Sequence, residues 1–360
     1  MRTGIANLPL HGGKAPRWLF ERMKLLAREI VVIIVDDAGP RELLQKLSDP
    51  YWFQALGCLL GFDWHSSGVT TTVCGALKEG IKGLENDLGF YVAGGKGGRS
   101  RKTPAEIETA GDHLSVDPAT LVYASRMSAK VDTSALQDGY QLYHHAFFFT
   151  KEGEWSVVQQ GMNTNNRYAR RYHWLGEGVS DFVCEPHAAV CCDQKGTILN
   201  LVADGSGESR QVTVELACEK PDKIIKDLKG LKTLDLPRRH AIAVSDINPD
   251  RLHKTFIATY ERSPHDFATL LGMAGVGPKT VRALSLIAEL VYGAVPSHDD
   301  PVRFSFAHGG KDGYSYPVDR HTYDGSIAYL STVVNRTKVG FSEKTKVLKR
   351  LAAMGERRRG

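Results

Sequence analysis

The sequence predicts an α+β protein, with helical segments towards both ends of the chain and a small antiparallel β-sheet between them. Apolar residues recur every three to four positions before residue 90 and again after residue 250, which is the spacing of amphipathic helices. Between residues 141 and 216 the apolar period falls to two, as in β-strands. We therefore predict a mainly helical region 1–140 with a basic glycine-rich loop, an antiparallel β region 141–235, and a helical region 236–360 ending in a basic helix.

The composition is that of a soluble globular protein. Hydrophobic residues make up 42% of the chain and charged residues 24%. No apolar run approaches the roughly 18 residues that span a bilayer, and the N-terminus lacks the apolar core of a secretion signal. The six cysteines are not spaced as metal ligands, so they are interpreted as small buried hydrophobes rather than a zinc or iron–sulfur site. We expect a cytoplasmic protein with no membrane partner.

Four helices are predicted in the first region. The first carries its apolar residues on one face, the next two begin near Arg41 and near Pro50, and the fourth spans residues 68–84. A basic, glycine-rich stretch, AGGKGGRSRKTP, follows at residues 93–104. A flexible loop is the first interpretation, and a loop that contacts phosphate through exposed backbone N–H groups, with Lys96 and Arg99, is the second.

The middle region begins with a predicted β-hairpin. Its strands are QLYHHAFFFT and WSVVQQGMN, with Gly153 in the turn. Two further strands are predicted, one in CDQKGTILNLVA and one in RQVTVELACE. Between them NTNNRYARRYHW interleaves arginines with tyrosines and a tryptophan. This stretch is either a helix covering the sheet or a nucleic-acid surface, with cations for phosphates and rings for unstacked bases. Its candidate DNA-contacting cations are Arg167, Arg170 and Arg171.

The third region contains two predicted helices joined by a Gly-Val-Gly turn. Ser263 is the predicted N-cap of the first helix and Gly272 its end, and the second helix begins at Pro278. Backbone N–H groups in such a turn can bind a DNA phosphate without reading sequence, although glycine-linked helix pairs are also common as plain structure. Lys279 lies in the first turn of the second helix, where the helix dipole disfavours a cation.

A second motif, YPVDRHTYDGSIAYL, follows at residues 316–330. An extended Pro-Val pair precedes Asp319, and a helix begins directly after it. Asp319 is therefore predicted to be an N-cap, and a capping carboxylate can also face a cleft.

Together the two motifs resemble the helix-hairpin-helix DNA glycosylases. That superfamily has a hairpin of type LPGVGxKTA followed by a VDxH segment, and both are matched here in order, although Ala274 stands where the family has proline. Family members that also cut the strand carry a lysine at the position of Lys279. The family's four-cysteine cluster is absent after Asp319, so no iron–sulfur cluster is expected. The remainder of the chain, beginning GIANLPLHGGKAPRWL, resembles a domain-of-unknown-function family of archaea and bacteria.

The resemblance implies a bifunctional DNA glycosylase and AP lyase of base excision repair. Its partner would be double-stranded DNA with a damaged base or an abasic site, with Lys279 and Asp319 as catalytic residues and Gly275, Val276 and Gly277 binding phosphate. The helix end, burial and nearby Arg282 would favour the neutral, nucleophilic amine of Lys279. No cofactor is required, although a cation could bridge the hairpin turn to phosphate. We expect a monomer associated with the nucleoid.

The damaged base is expected to be an oxidised or deaminated pyrimidine, such as a 5-hydroxylated uracil, with an oxidised purine as the alternative. An insertion before Asp319 supplies side chains that could hold the flipped base or contact DNA: His308, Tyr314 and Tyr316, with His321 just after the aspartate. Two other functions stay open. One is a non-catalytic DNA-binding protein that uses only the hairpin, and the other is a metal-dependent nuclease built from the glycine-rich stretch and His144 or His145.

Overall fold

The computed structural model describes residues 16–61, 67–192, 194–231, 247–302, 320–338, 340, 344–345 and 347–349, with residues 320–327 described by their backbone alone. It has the predicted α+β architecture. Among the described residues before the first strand there are four helices: α1 (Arg17–Ser48), α2 (Pro50–Leu60), α3 (Gly68–Gly80) and α4 (Glu85–Leu88), of which the short α4 is not predicted by the apolar spacing. The helix predicted near Arg41 is the second half of α1, which bends at Gly39 (φ 82°) and Pro40.

A five-stranded antiparallel sheet forms the centre of the molecule. Its strand order is β1-β3-β4-β5-β6, and a separate two-stranded sheet pairs β2 with β7. The predicted hairpin is confirmed, because β3 pairs with β4 throughout. The strands are β1 (Phe90–Lys96), β2 (Leu136–Gln137), β3 (Gln141–Thr150), β4 (Trp155–Asn163), β5 (Tyr168–Leu175), β6 (Ala189–Cys191) and β7 (Leu199–Asn200).

Both faces of the sheet are buried, which explains the unbroken apolar run in β3. Phe147 and Phe149 face one hydrophobic core and Phe148 faces another, as the alternation of side chains along a strand requires. Helices α1 to α3 and the last helix, α12 (Arg320–Arg336), contribute to the core around Phe148. The opposite core is built with α5 (Thr103–Thr109), α6 (Pro118–Lys130), α7 (Gly207–Ala217), α8 (Pro221–Leu231), α9 (Pro249–Arg262), α10 (Phe267–Gly272) and α11 (Pro278–Tyr292).

Two sequence predictions in the middle region are wrong. RQVTVELACE lies mainly in helix α7, not in a strand, and its buried residues Thr213, Leu216 and Ala217 follow helical spacing. NTNNRYARRYHW is not a helix: it forms an exposed turn that contains Arg167, and then the largely buried strand β5, which pairs with β4 and β6. Its alternating cations and rings belong to a strand whose two faces are both covered.

The glycine-rich stretch is ordered rather than flexible. Strand β1 runs to Lys96, and a short 3₁₀ turn over Gly97–Lys102 leads into α5. Gly94 has φ 87°, and a Cβ there would lie 2.3 Å from the His145 carbonyl oxygen, so only glycine allows the two strands to approach this closely. Lys96 and Arg99 are exposed on this turn.

In the part of the chain that the structure describes, no helix is both long and apolar enough to cross a membrane. All six cysteines are free thiols; Cys74, Cys191 and Cys192 are buried, as the sequence predicts, whereas Cys58, Cys184 and Cys218 are partly exposed.

Candidate nucleic-acid interface

The predicted helix pair with its Gly-Val-Gly turn is present. Helices α10 and α11 flank residues 273–277, and Gly275 has φ 87°, a left-handed conformation that favours glycine. The cap of α10 differs from the prediction. Asp266, not Ser263, accepts a hydrogen bond from the Thr269 N–H at 2.6 Å, while Ser263 ends α9. Helix α11 begins at Pro278, as the sequence predicts.

Lys279 lies in the first turn of α11, directly after Pro278, and its side chain is exposed. The N–H groups of a helix's first turn have no acceptor within the helix, so this end of α11 is suited to an anion. Burial, which sequence reasoning expects around the amine, is not found. Lys279 is instead an exposed residue.

Lys130, at the end of α6, supports the hairpin from within the protein. Its ammonium donates to the carbonyl oxygens of Val276 and Met273, the latter at 3.4 Å. Gln137 donates to the Pro278 carbonyl at 2.9 Å and accepts from the Nε–H of Arg282 at 2.7 Å. Burial lowers the pKa of Lys130. No sequence pattern indicates this role, because α6 and the hairpin are far apart along the chain.

Replacing Lys130 with methionine is expected to lower the free energy of unfolding by about 1–3 kcal/mol, because two hairpin carbonyls lose a charged donor. We also expect weaker binding to a DNA duplex with an unchanged dependence on salt concentration, since the ammonium faces carbonyls rather than solvent. Urea unfolding and fluorescence anisotropy at several salt concentrations measure the two quantities. A salt slope reduced by about one would instead mean that Lys130 contacts a phosphate.

Two cavities are lined by residues of helix α6, one beside Gly272 at the end of α10 and the other beside the glycine-rich stretch. The first, of about 900 Å³, is lined by Gly272, Lys130 and the half-exposed Tyr123. The second, of about 450 Å³, is lined by Arg101 and His145 among others. Arg126 lines both. Both volumes lie in the range of small-molecule sites, so either could receive a single nucleotide.

The three arginines of NTNNRYARRYHW are not equivalent. Arg167 is exposed in the β4–β5 turn with φ 62°, and stays a candidate DNA contact. Arg170 and Arg171 are 1% and 0% exposed, so the prediction that they contact DNA is wrong. Arg170 pairs with Asp138 at 3.0 Å and with Asp300 at 2.7 Å. Arg171 donates to the Gln54 side chain at 3.0 Å.

The other half of the predicted catalytic site lies outside the described residues. This part of the chain contains Asp319, His308, Tyr314 and Tyr316. His321 lies in the first turn of α12 and is described by its backbone alone. Their roles stay predictions. Among the described residues, no group of three or more His, Cys, Asp or Glu side chains is arranged to hold a metal ion.

A comparison with protein-family models matches residues 4–318 to a family described as "Protein of unknown function (DUF763)". No curated protein and no solved structure matches the chain.

Proposed function

Because this chain belongs to the DUF763 family, whose description names no activity, we propose a function from its own residues: a bifunctional DNA glycosylase and AP lyase. The observation that carries the proposal is the position of Lys279, an exposed residue in the first turn of α11, directly after the Gly-Val-Gly hairpin. A hairpin of this kind binds a backbone phosphate without reading sequence, and the amine then lies next to the bound strand.

Two further features support DNA as the partner. Exposed cations at Lys96, Arg99 and Arg126 lie around the cavities beside α6, and a surface of this sign attracts a polyanion. The cavity of about 900 Å³ beside Gly272 is large enough for a base turned out of the helix. A protein of this kind works on chromosomal DNA, so we place it with the nucleoid in the cytoplasm.

The proposed reaction proceeds through a covalent bond to the sugar. The neutral amine of Lys279 attacks C1′ as the damaged base leaves, and Asp319 accepts a proton from the amine and stabilises positive charge developing on the sugar. The C1′–O4′ bond of the sugar then breaks, O4′ takes up a proton, and the Schiff base that forms between Lys279 and C1′ acidifies the C2′ proton. Its loss expels the 3′ phosphate by β-elimination and cuts the strand.

Base release from defined duplexes tests the proposal. Duplexes that each contain one 5-hydroxyuracil, one uracil or one 8-oxoguanine are incubated with the protein, and the free base is measured by mass spectrometry. We expect release of an oxidised or deaminated pyrimidine, and much slower release by Asp319→Asn. Binding of every duplex with no release of any base, and no cleavage at an abasic site, would favour the non-catalytic DNA-binding protein.

A further inference from the structure

The cavity on the far side of α6 from the hairpin contains a serine and a histidine that the proposed lyase reaction does not use. Ser125, in the middle of α6, and His145, in β3, both line the cavity of about 450 Å³. Ser125 Oγ lies 2.9 Å from His145 Nε2, and the other ring nitrogen, Nδ1, lies 2.8 Å from Gln159 Oε1. This is the arrangement of a nucleophile, a base and a group that orients the base.

The hydrogen-bond partners of Gln159 determine which nitrogen of His145 carries the proton. The amide nitrogen of Gln159 donates to the Asp132 carboxylate at 2.6 Å and to the Ser128 carbonyl at 3.2 Å, and both of these groups accept. Its oxygen must therefore face His145, which donates from Nδ1. In the neutral ring Nε2 is then an acceptor, and the Ser125 hydroxyl donates to it.

The environment keeps this ring neutral. Burial lowers the pKa of His145, opposed by the hydrogen bond to Gln159 and by the charge of Asp132. Asp132 is itself held by Trp174 at 3.0 Å and by His187 at 2.5 Å, so the carboxylate is fixed in place. The neighbouring His144 also lines the cavity, and burial lowers its pKa to about 3. Near neutral pH the serine therefore faces an unprotonated base.

The charges at the mouth of the cavity indicate the substrate. Arg101 and Arg126 line it, both are exposed, and Lys96 and Arg99 lie on the adjoining turn. Guanidinium groups bind the non-bridging oxygens of a phosphate and stabilise charge that develops on them. The volume suits a nucleotide-sized molecule.

From these observations we propose that the cavity is a second active site, which hydrolyses a nucleotide-sized phosphate ester with Ser125 as nucleophile and His145 as general base. Ser125 Oγ forms a bond to phosphorus as the bond from phosphorus to the leaving oxygen breaks, and the serine proton passes through His145 Nε2 to that oxygen. Water then gives a proton to His145 and attacks phosphorus, and the serine leaves and recovers its proton. The site is independent of Lys279 and stands whether or not the lyase proposal holds.

Hydrolysis of p-nitrophenyl phosphate and bis(p-nitrophenyl) phosphate tests this site. We expect the full-length protein to release p-nitrophenol, and Ser125→Ala to release it at least a hundredfold more slowly. Ser156→Ala is the matched control, because it removes another buried serine hydroxyl, from strand β4, and Ser156 does not line the cavity. Its rate should stay within threefold of the unmodified protein, as should the rate of Lys279→Gln.

Two more measurements separate catalysis from structure. The rate should be constant near neutral pH and fall only in more acidic solution than protonates an ordinary histidine, because burial lowers the pKa of His145. Gln159→Leu should move that fall to lower pH, because the hydrogen bond to Gln159 raises the pKa of His145 and its loss lowers that pKa further. A fluorophosphonate probe should label Ser125 in the unmodified protein. Equal hydrolysis by Ser125→Ala, or neither hydrolysis nor labelling with the unmodified protein, would overturn the proposal.

Discussion

Arg170→Met is expected to lower the free energy of unfolding by about 3–5 kcal/mol at pH 7. The guanidinium is 1% exposed and is the shared partner of Asp138 and Asp300, whose side chains are 1% and 3% exposed. Without it, two carboxylates remain in a medium that solvates them poorly. The loss is measured by urea unfolding, and Arg167→Met, which changes an exposed arginine three residues away, should cost less than about 0.5 kcal/mol.

The same variant should show a characteristic dependence on pH. Burial already raises the pKa of Asp138, although Arg170 and the hydroxyl of Tyr172 counteract the rise. Removing Arg170 raises this pKa further above its value in the unfolded chain. The protonated carboxyl is tolerated in the interior, so the deficit in stability should be greatest at neutral pH and shrink as the pH falls towards 5. A deficit that does not change with pH would mean that lost packing dominates.

Lys279→Gln is expected to slow strand cleavage at an abasic site by on the order of 10³-fold or more, because an amide cannot form a Schiff base. Affinity for the same duplex should change little, since one cation among several is lost. Cleavage is followed on a labelled duplex by gel electrophoresis. Lys229→Gln, which replaces another exposed lysine on a helix, serves as the control and should cleave at the unmodified rate.

Strong loss of binding with Lys279→Gln, together with unchanged cleavage at saturating protein, would assign this lysine to phosphate contact alone. That outcome would leave the hairpin as a DNA-binding element and place the chemistry elsewhere.

Local patterns were sufficient for much of the fold. The apolar face of α1, the alternation through β3 and β4, and the glycines between α10 and α11 each specify one element through neighbouring residues. Helix α7 was missed because the alternating valines of RQVTVELACE resemble a strand. Its packing against α11 and the rest of the core, which no local pattern displays, determines the helix.

The site is harder to predict from the sequence than the fold, because its contacts join residues that are far apart along the chain. Lys130 meets Val276, and Ser125 meets His145, only once α6 packs against the sheet and the hairpin. For Arg170 and Arg171 the sequence pattern predicts a DNA contact that their burial rules out. Arginines between aromatic residues are typical of a nucleic-acid surface, but here Arg170 pairs with two buried carboxylates and Arg171 donates to a buried amide oxygen inside the protein.

Borohydride trapping on a duplex with a single abasic site tests the central claim most directly. The unmodified protein, Lys279→Gln and Lys130→Gln are compared, because Lys130 is the half-buried lysine that touches the hairpin carbonyls and its pKa is lowered. We predict a covalent protein–DNA adduct with the unmodified protein and with Lys130→Gln, and none with Lys279→Gln. An adduct that persists in Lys279→Gln, or no adduct with any of the three proteins, would contradict the assignment of Lys279 as the Schiff-base amine.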